Sequence, residues 1–265
     1  MRLSYYVVQE DEVMSQPWEI YDTLLDGLPG DVVVRASGQG ARWTRVLNSA
    51  GGVGTAWTMD VRSRPALADG SLDGRPLRDV GALVKSWNLA EASIGQAAIN
   101  SWYSREETAA ANGFEPTGEG LTWRQVFDPY QKMIAGRKVA VIGHFPFAEA
   151  ALAGAGEYIC LERNLQPGDW PDSACEYVLP ECDVVFISSS SFVNKTAPRL
   201  IELSRDAHTV LVGPSTPLNP VLLDYGVDTV TGFIAARSLS DPAALAELVP
   251  AGDIGPGFRV HRHRV

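Results

Sequence analysis

The sequence predicts two kinds of domain in one chain: an α+β first half and an α/β second half with a mainly parallel, doubly wound sheet. Three observations carry this. Three short β-type segments separated by glycine turns lie between residues 32 and 59. From Val139 onward, continuous apolar runs alternate with helical segments. Between these patterns lies a polar stretch containing Gly and Pro, residues 104–121 (SREETAAANGFEPTGEGL), which reads as a linker or exposed loop. The expected domains are therefore 1–120 and 121–265.

In the first half, Trp18, Tyr21, Leu25 and Leu28 recur at helical spacing, and Pro29-Gly30 stops the helix. Val32–Ala36, Arg42–Leu47 and Gly54–Met59 are the expected strands. Their short turns, Gly38-Gln39-Gly40 and Gly51-Gly52, favour an antiparallel meander. Leu77, Val80, Val84 and Trp87 form the apolar stripe of a second helix. A third runs from about Leu89 to Trp102. At 100° per residue its Ser93, Gln96 and Asn100 share one polar face, while Ala97, Ala98 and Gly95 permit close packing on a sheet.

In the second half, Asp128-Pro129 reads as an N-cap followed by a first-turn proline, with Gly136 placed to end that helix. The apolar runs are Val139–Ile142, Tyr158–Leu161, Val184–Ile187, Val210–Val212 and Thr229–Ile234. Expected helices are Phe147–Ala153, Pro198–Asp206, Asn219–Tyr225 and Pro242–Leu248. Apolar strands alternating with helices indicate a parallel sheet, which binds ligands at the carboxyl ends of its strands.

The 265 residues carry a net charge of −10, a field that repels phosphate backbones and argues against nucleic acid as a partner. No apolar run approaches the roughly 18 residues that span a bilayer, so no membrane association is expected. The acidic start (MRLSYYVVQEDEVMSQ) does not read as a signal peptide. Three cysteines with no CxxC give neither a disulfide framework nor a zinc motif, and a reducing cytoplasm is expected. Cys160, within a strand, reads as a core residue. His261 and His263, in the sequence HRHRV, read as a disordered end rather than a metal site.

The candidate site residues sit at strand ends. Val141–Phe147 (VIGHFPF) has one glycine where a dinucleotide fold needs three, so NAD is disfavoured. His144 there suits a general base or a metal ligand, or a ring that merely shapes the turn. Glu162, 19 residues after Gly143, occupies the position that binds a ribose hydroxyl in nucleotide folds and adenosine in methyltransferase-like ones. An ion pair with Arg163 is the structural alternative. Ser188–Thr196 (SSSSFVNKT) gathers hydroxyls including Ser190, the Asn194 amide and Lys195 before a helix that Thr196 would cap, which suits an anion. Pro214 and Pro217 stiffen the loop holding Ser215 and Thr216. Glu91 stands on the third helix, about 200° from Ser93, so the two do not face one ligand.

Five runs together resemble a known family: EASIGQAAINS (91–101), VIGHFPF (141–147), LERN followed by PGDWPDSACEYVLP (161–180), SFVNKTAPRLIELSR (191–205) and LVGPSTPLNPVLLDYGVD (211–228). The chain is similar to the family described as "putative heavy-metal chelation", a domain of unknown function. The resemblance implies an enolase-N-terminal-like domain followed by a Rossmann-like domain, with a site in the cleft between them. It implies metal handling through a pterin-, flavin- or siderophore-like small molecule. By motif, the cleft residues would be Glu91, His144, Phe145, Glu162, Asn194, Lys195, Ser215 and Thr216. The run Ser188–Ser191 departs from the family, where a glycine-containing stretch is usual.

Three functions follow as expectations. The first is an enzyme (a lyase, hydrolase or condensing enzyme) acting on a small chelating molecule, with His144 as acid/base and Lys195 holding an anion. The second is a non-catalytic binder of metal or metallophore, although soft ligands are few. The third is an S-adenosylmethionine or nucleotide binder, resting on Glu162. The metal, whether heavy or transition, direct or chelated, is left open. A homodimer is the commonest closed assembly.

Overall fold

The computed structural model describes residues 16–118 and 123–265. The acidic start up to residue 15 and the expected 120/121 boundary lie outside the described residues. The first half begins with α1 (Glu19–Asp26), followed by β1 (Val34–Gln39), β2 (Trp43–Asn48) and β3 (Val53–Trp57). These strands form the expected antiparallel meander, in the order β1-β2-β3. β1 runs through Gly38 and Gln39, so the turn comes later than the glycines suggest.

The stripe starting at Leu77 forms α2 (Leu77–Gly81) and then a single 3₁₀ turn. Leu77, Val80 and Val84 are buried, but Trp87 lies beyond the turn and is 58% exposed. α3 (Leu89–Tyr103) begins at Asn88, whose side chain accepts the Glu91 N–H. Gly95 packs closely on the backbone of Leu83 and Val84, while Ala97 of the same helix lies against Gly54 of β3, so α3 does pack on the sheet.

The expected linker is built differently. It holds α4 (Glu106–Ala111) and β4 (Glu115–Pro116), and β4 joins the large sheet; residues 119–121 of the stretch lie outside the described residues. At Asp128-Pro129 the proline does sit in a first turn, but Asp128 makes no side-chain cap. A 3₁₀ turn leads into α5 (Gln131–Ile134).

The parallel strands are β5 (Lys138–Ile142), β6 (Glu157–Glu162), β7 (Trp170–Pro171), β8 (Val184–Ser188), β9 (His208–Val212) and β10 (Thr229–Ala235). Between them lie α6 (Ala148–Ala151), α7 (Cys175–Val178), α8 (Ser191–Asn194), α9 (Ala197–Leu203) and α10 (Val221–Asp224). α11 (Pro242–Ala251), capped by the Asp241 carboxylate, and β11 (Gly257–His263) complete the fold. The expected disordered end is thus a strand: β11 pairs antiparallel with β10 over seven residues and holds β4 on its other side. The sheet order is β4-β11-β10-β9-β8-β5-β6-β7.

Alternate residues of the central strands enter different cores. Val139, Val141, Val184, Phe186, Val210 and Val212 pack with Phe127, Tyr130 and Ile134 on one face. Ala140, Ile159, Leu161, Val185, Ile187 and Leu211 face the other way. Burial on both faces is the reason these strands read as continuous apolar runs. The second core continues without a break into Tyr21, Leu24, Leu77, Val84 and Ile99 of the first half. Chain direction reverses its lateral progress between β5 and β8, since β6 lies on one side of β5 and β8 on the other. The strand ends at such a switch point are the usual place for a ligand in these sheets.

Candidate metal centre at the strand ends

Gly143 directly follows β5 with φ +97°, and a side chain there would meet Cβ of Ser188 at 2.9 Å. Glycine therefore lets the loops after β5 and β8 touch. The turn presents His144, whose N–H donates to Oε2 of Glu162 at 2.8 Å. Glu162 also accepts the N–H groups of Arg163 and Asn164, so its carboxylate is occupied in shaping two strand ends. Arg163 pairs with Asp172 instead.

The His144 ring is held by another acid. Its Nδ1 lies 3.1 and 3.2 Å from the two Asp169 oxygens. Cys160 Sγ stands 3.9 Å from the same nitrogen. Cys160 pairs with Val141 in the β5–β6 ladder, which brings the thiol beside the turn three residues beyond Val141. Asp169, in the loop before β7, also accepts the Gln166 N–H at 2.9 Å. The ligand atoms of His144, Cys160 and Asp169 all lie within 4.8 Å of one another.

The electrostatics are coupled. Burial pushes the Cys160 thiol up to about 12, and the Asp169 carboxylate adds to the rise. Burial also works to raise Asp169, but the Gln166 N–H, Cys160 and His144 outweigh it and hold the carboxyl below its usual range. The donor set, imidazole, thiol and carboxylate, suits a borderline or soft divalent cation and not the all-oxygen shells of Mg²⁺ or Ca²⁺. Bonds of 2.0–2.3 Å to a tetrahedral ion place neighbouring ligand atoms about 3.3–3.8 Å apart. The separations of 3.1 and 3.9 Å around His144 Nδ1 bracket that range.

The other predicted residues fall elsewhere. Glu91 is buried, and its carboxylate accepts the N–H groups of Leu67 and Ala68 at 2.8–2.9 Å. Lys195 ends α8 in a left-handed conformation, φ 66°. Its Nζ donates to the Ser86 and Val193 carbonyls and stands 5.2 Å from the Trp87 ring. Burial lowers this amine to about 8, opposed by the charge of Glu91. Lys195 thus ties the second half to Ser86 of the first, within the field of Glu91. The Asn194 side-chain oxygen accepts from both the N–H and hydroxyl of Thr196, so Thr196 precedes α9 without capping it. Hydroxyl, amide and lysine in this run do not converge: Ser190 bonds Ser188 at 3.0 Å, on the side facing Gly143.

Ser215 and Thr216 are buried. Ser215 Oγ accepts the Trp57 N–H at 2.8 Å, and its carbonyl accepts from Gln96 at 3.0 Å. Thr216 donates to backbone carbonyls of Gly213 and Thr231. The polar face Ser93, Gln96 and Asn100 is fully buried along this seam between the halves. Phe145 packs edge-on against Phe127, 5.9 Å between centroids, as part of a core. Two surface hollows, one beside Ser37–Gln39 and one beside Ile201, take in none of the predicted residues.

A family model described as "Putative heavy-metal chelation", DUF364, matches residues 125–258. The chain belongs to the DUF364 family. A second model with the same description, DUF4213, matches residues 21–103. Among solved structures, a DUF364 protein of unknown function from Desulfitobacterium hafniense DCB-2 is 36% identical. It aligns over 93% of this chain and 98% of its own, with a TM-score of 0.81. A DUF364 protein of unknown function from Pyrococcus horikoshii, 20% identical over 92% and 98%, shares the fold with a TM-score of 0.72. No curated protein matches the chain.

Within this DUF364 chain, sequence reasoning found His144 and missed both of its partners. Cys160 looked like core because it lies in an apolar strand, and it is indeed 5% exposed. Asp169 carried no signal beyond the Gly168-Asp169-Trp170 turn. The intervals of 16 and 9 residues match no metal motif; pairing of parallel strands brings the three together.

Proposed function

We propose that this protein binds a divalent cation of borderline or soft character through His144, Cys160 and Asp169, together with a small polar chelating ligand. The observation that carries this reading is the convergence of three unlike ligand atoms within 4.8 Å at the strand ends. The family description supports the class of cargo. Three protein ligands leave a fourth tetrahedral position for an outside donor. The Ser188–Ser190 hydroxyl pair, beside Gly143, is placed to hold the polar part of such a ligand. In this reading the Lys195 amine ties the halves through the Ser86 carbonyl, Glu91 anchors the loop at Leu67 and Ala68, and His144 is a metal ligand.

The test is titration of chelator-stripped protein with Zn²⁺, Cd²⁺ and Co²⁺. Wild type should bind one equivalent at this site, and Cys160→Ser and Asp169→Asn should lose it. A Co²⁺ adduct should show sulfur-to-metal charge transfer that vanishes in Cys160→Ser. Equal binding by wild type and both variants would sink the reading.

A further inference from the structure

We propose that the sheet edge carries a second metal site, formed by His261 and His263 of β11 with Glu115 of β4, for a borderline divalent transition ion such as Ni²⁺, Cu²⁺ or Zn²⁺. His261 and His263 are two apart on one strand and therefore share a face. Their rings are 4.7 Å apart between centroids and tilted by 58°. His263 is exposed and His261 half-buried, and their donor atoms with that of Glu115 are less closely gathered than those of His144, Cys160 and Asp169, so this site forms only as the side chains turn onto the ion.

Glu115 supplies the third donor. It is the direct antiparallel partner of His261 in the β4–β11 ladder. Opposed residues point to the same face with Cβ atoms about 4.5–5.5 Å apart. The Glu115 side chain is exposed, and its charge acts on His261.

The fold also orients one ring. Nδ1 of His263 lies 2.9 Å from Oγ1 of Thr229, its partner in the β10–β11 ladder. Thr229 is fully buried. With Nδ1 protonated, His263 donates to the Thr229 oxygen. Nε2 then keeps a lone pair for a metal, the usual effect of a group behind a histidine ligand. Two imidazoles and a carboxylate with the remaining positions open to water suit late first-row divalent ions rather than Mg²⁺ or Ca²⁺.

This site is separate from that at His144. In the sheet order, β11 and β6 are five steps apart, or about 24 Å at 4.8 Å per step. Neither ion can share a ligand with the other.

Ni²⁺ binding to chelator-stripped full-length protein tests the proposal, by calorimetry and by NMR of ¹⁵N-histidine. Wild type should show an edge site that persists in Cys160→Ser. His261→Ala/His263→Ala should lose it, and Glu115→Gln should weaken it several-fold. Substoichiometric Ni²⁺ should broaden the His261 and His263 signals first in Cys160→Ser. Loss of binding in Cys160→Ser but not in the double histidine variant would overturn the edge site and leave the His144 centre standing. The converse pattern would support the edge site and count against the centre. Equal affinity in wild type, Glu115→Gln and the double histidine variant would also overturn the edge site.

Discussion

Nδ1 of His144 lies 3.1 Å from Oδ1 of Asp169, although the two residues belong to loops at the ends of different strands. The contact fixes the ring against a carboxylate whose side chain is only 4% exposed. Replacing Asp169 with Ala should remove that acceptor and free the Gln166 N–H as well. We expect metal binding to fall at least tenfold and stability to drop by about 1–2 kcal/mol. Parallel metal titrations and urea melts check this.

Metal binding at this centre should depend on pH. Burial and the Asp169 charge hold Cys160 as a thiol, up to about 12. A metal ligates the thiolate, so binding must displace that proton. Affinity should therefore rise with pH, by about tenfold per unit between pH 6 and 8 where one proton is released. In Cys160→Ala the remaining dependence should be shallower. Titrations in buffers of different ionisation enthalpy would count the protons.

Lys195 gives a different pH signature. Its amine is lowered from 10.5 to about 8, chiefly by burial. The folded chain therefore holds fewer protons there than the unfolded chain between those values. The resulting destabilisation is full below about pH 8 and fades as pH rises towards 10.5. Relative to Lys195→Met, the wild type should gain about 2 kcal/mol between pH 7.5 and 10 after allowance for solvent screening. Comparing the two in urea cancels the buried tyrosines and cysteines, which titrate in the opposite sense. A constant difference across that range would contradict it.

Much of the fold was legible because its signals were local. The five central strands read as apolar runs since both faces are buried, and helical spacing alone defines the α3 polar face of Ser93, Gln96 and Asn100. Trp87 was misread because its spacing fits a stripe that the backbone leaves after Lys85. β4 was invisible: Glu115-Pro116 has no strand pattern of its own and is a strand only because β11 lies beside it. The candidate site was legible at His144 and hidden at Cys160 and Asp169. A cysteine in a buried strand looks the same in sequence whether it fills space or faces an imidazole.

Glu91 should prove to be a structural anchor. Its carboxylate accepts two backbone N–H groups of the loop at Leu67 and Ala68. Glu91→Ala should speed hydrogen exchange and proteolysis in residues 61–75, with metal binding at His144 unchanged. Glu91→Gln, which keeps one acceptor oxygen, should be intermediate. Loss of metal binding without loop opening would reassign this residue.

Gly143→Ala should cost about 1–3 kcal/mol, from the positive φ and the approach of Ser188. Adding Ser188→Gly should recover only the steric share. Chemical denaturation of the two single variants and the double variant separates the parts.

The pairing of β4 with β11 joins Glu115 to His261, 146 positions apart in the chain. Contacts this distant close a large loop and form late, because entropy must be spent before the ladder repays it. The β4 edge should therefore join the large sheet after the rest, as the final step of refolding. Until then the first half lacks a partner for Glu115-Pro116, and the free flank of β11 is the surface most exposed to mispairing with another molecule. Refolding yield should fall with protein concentration for that reason, and the loss should be steepest in variants that weaken β11.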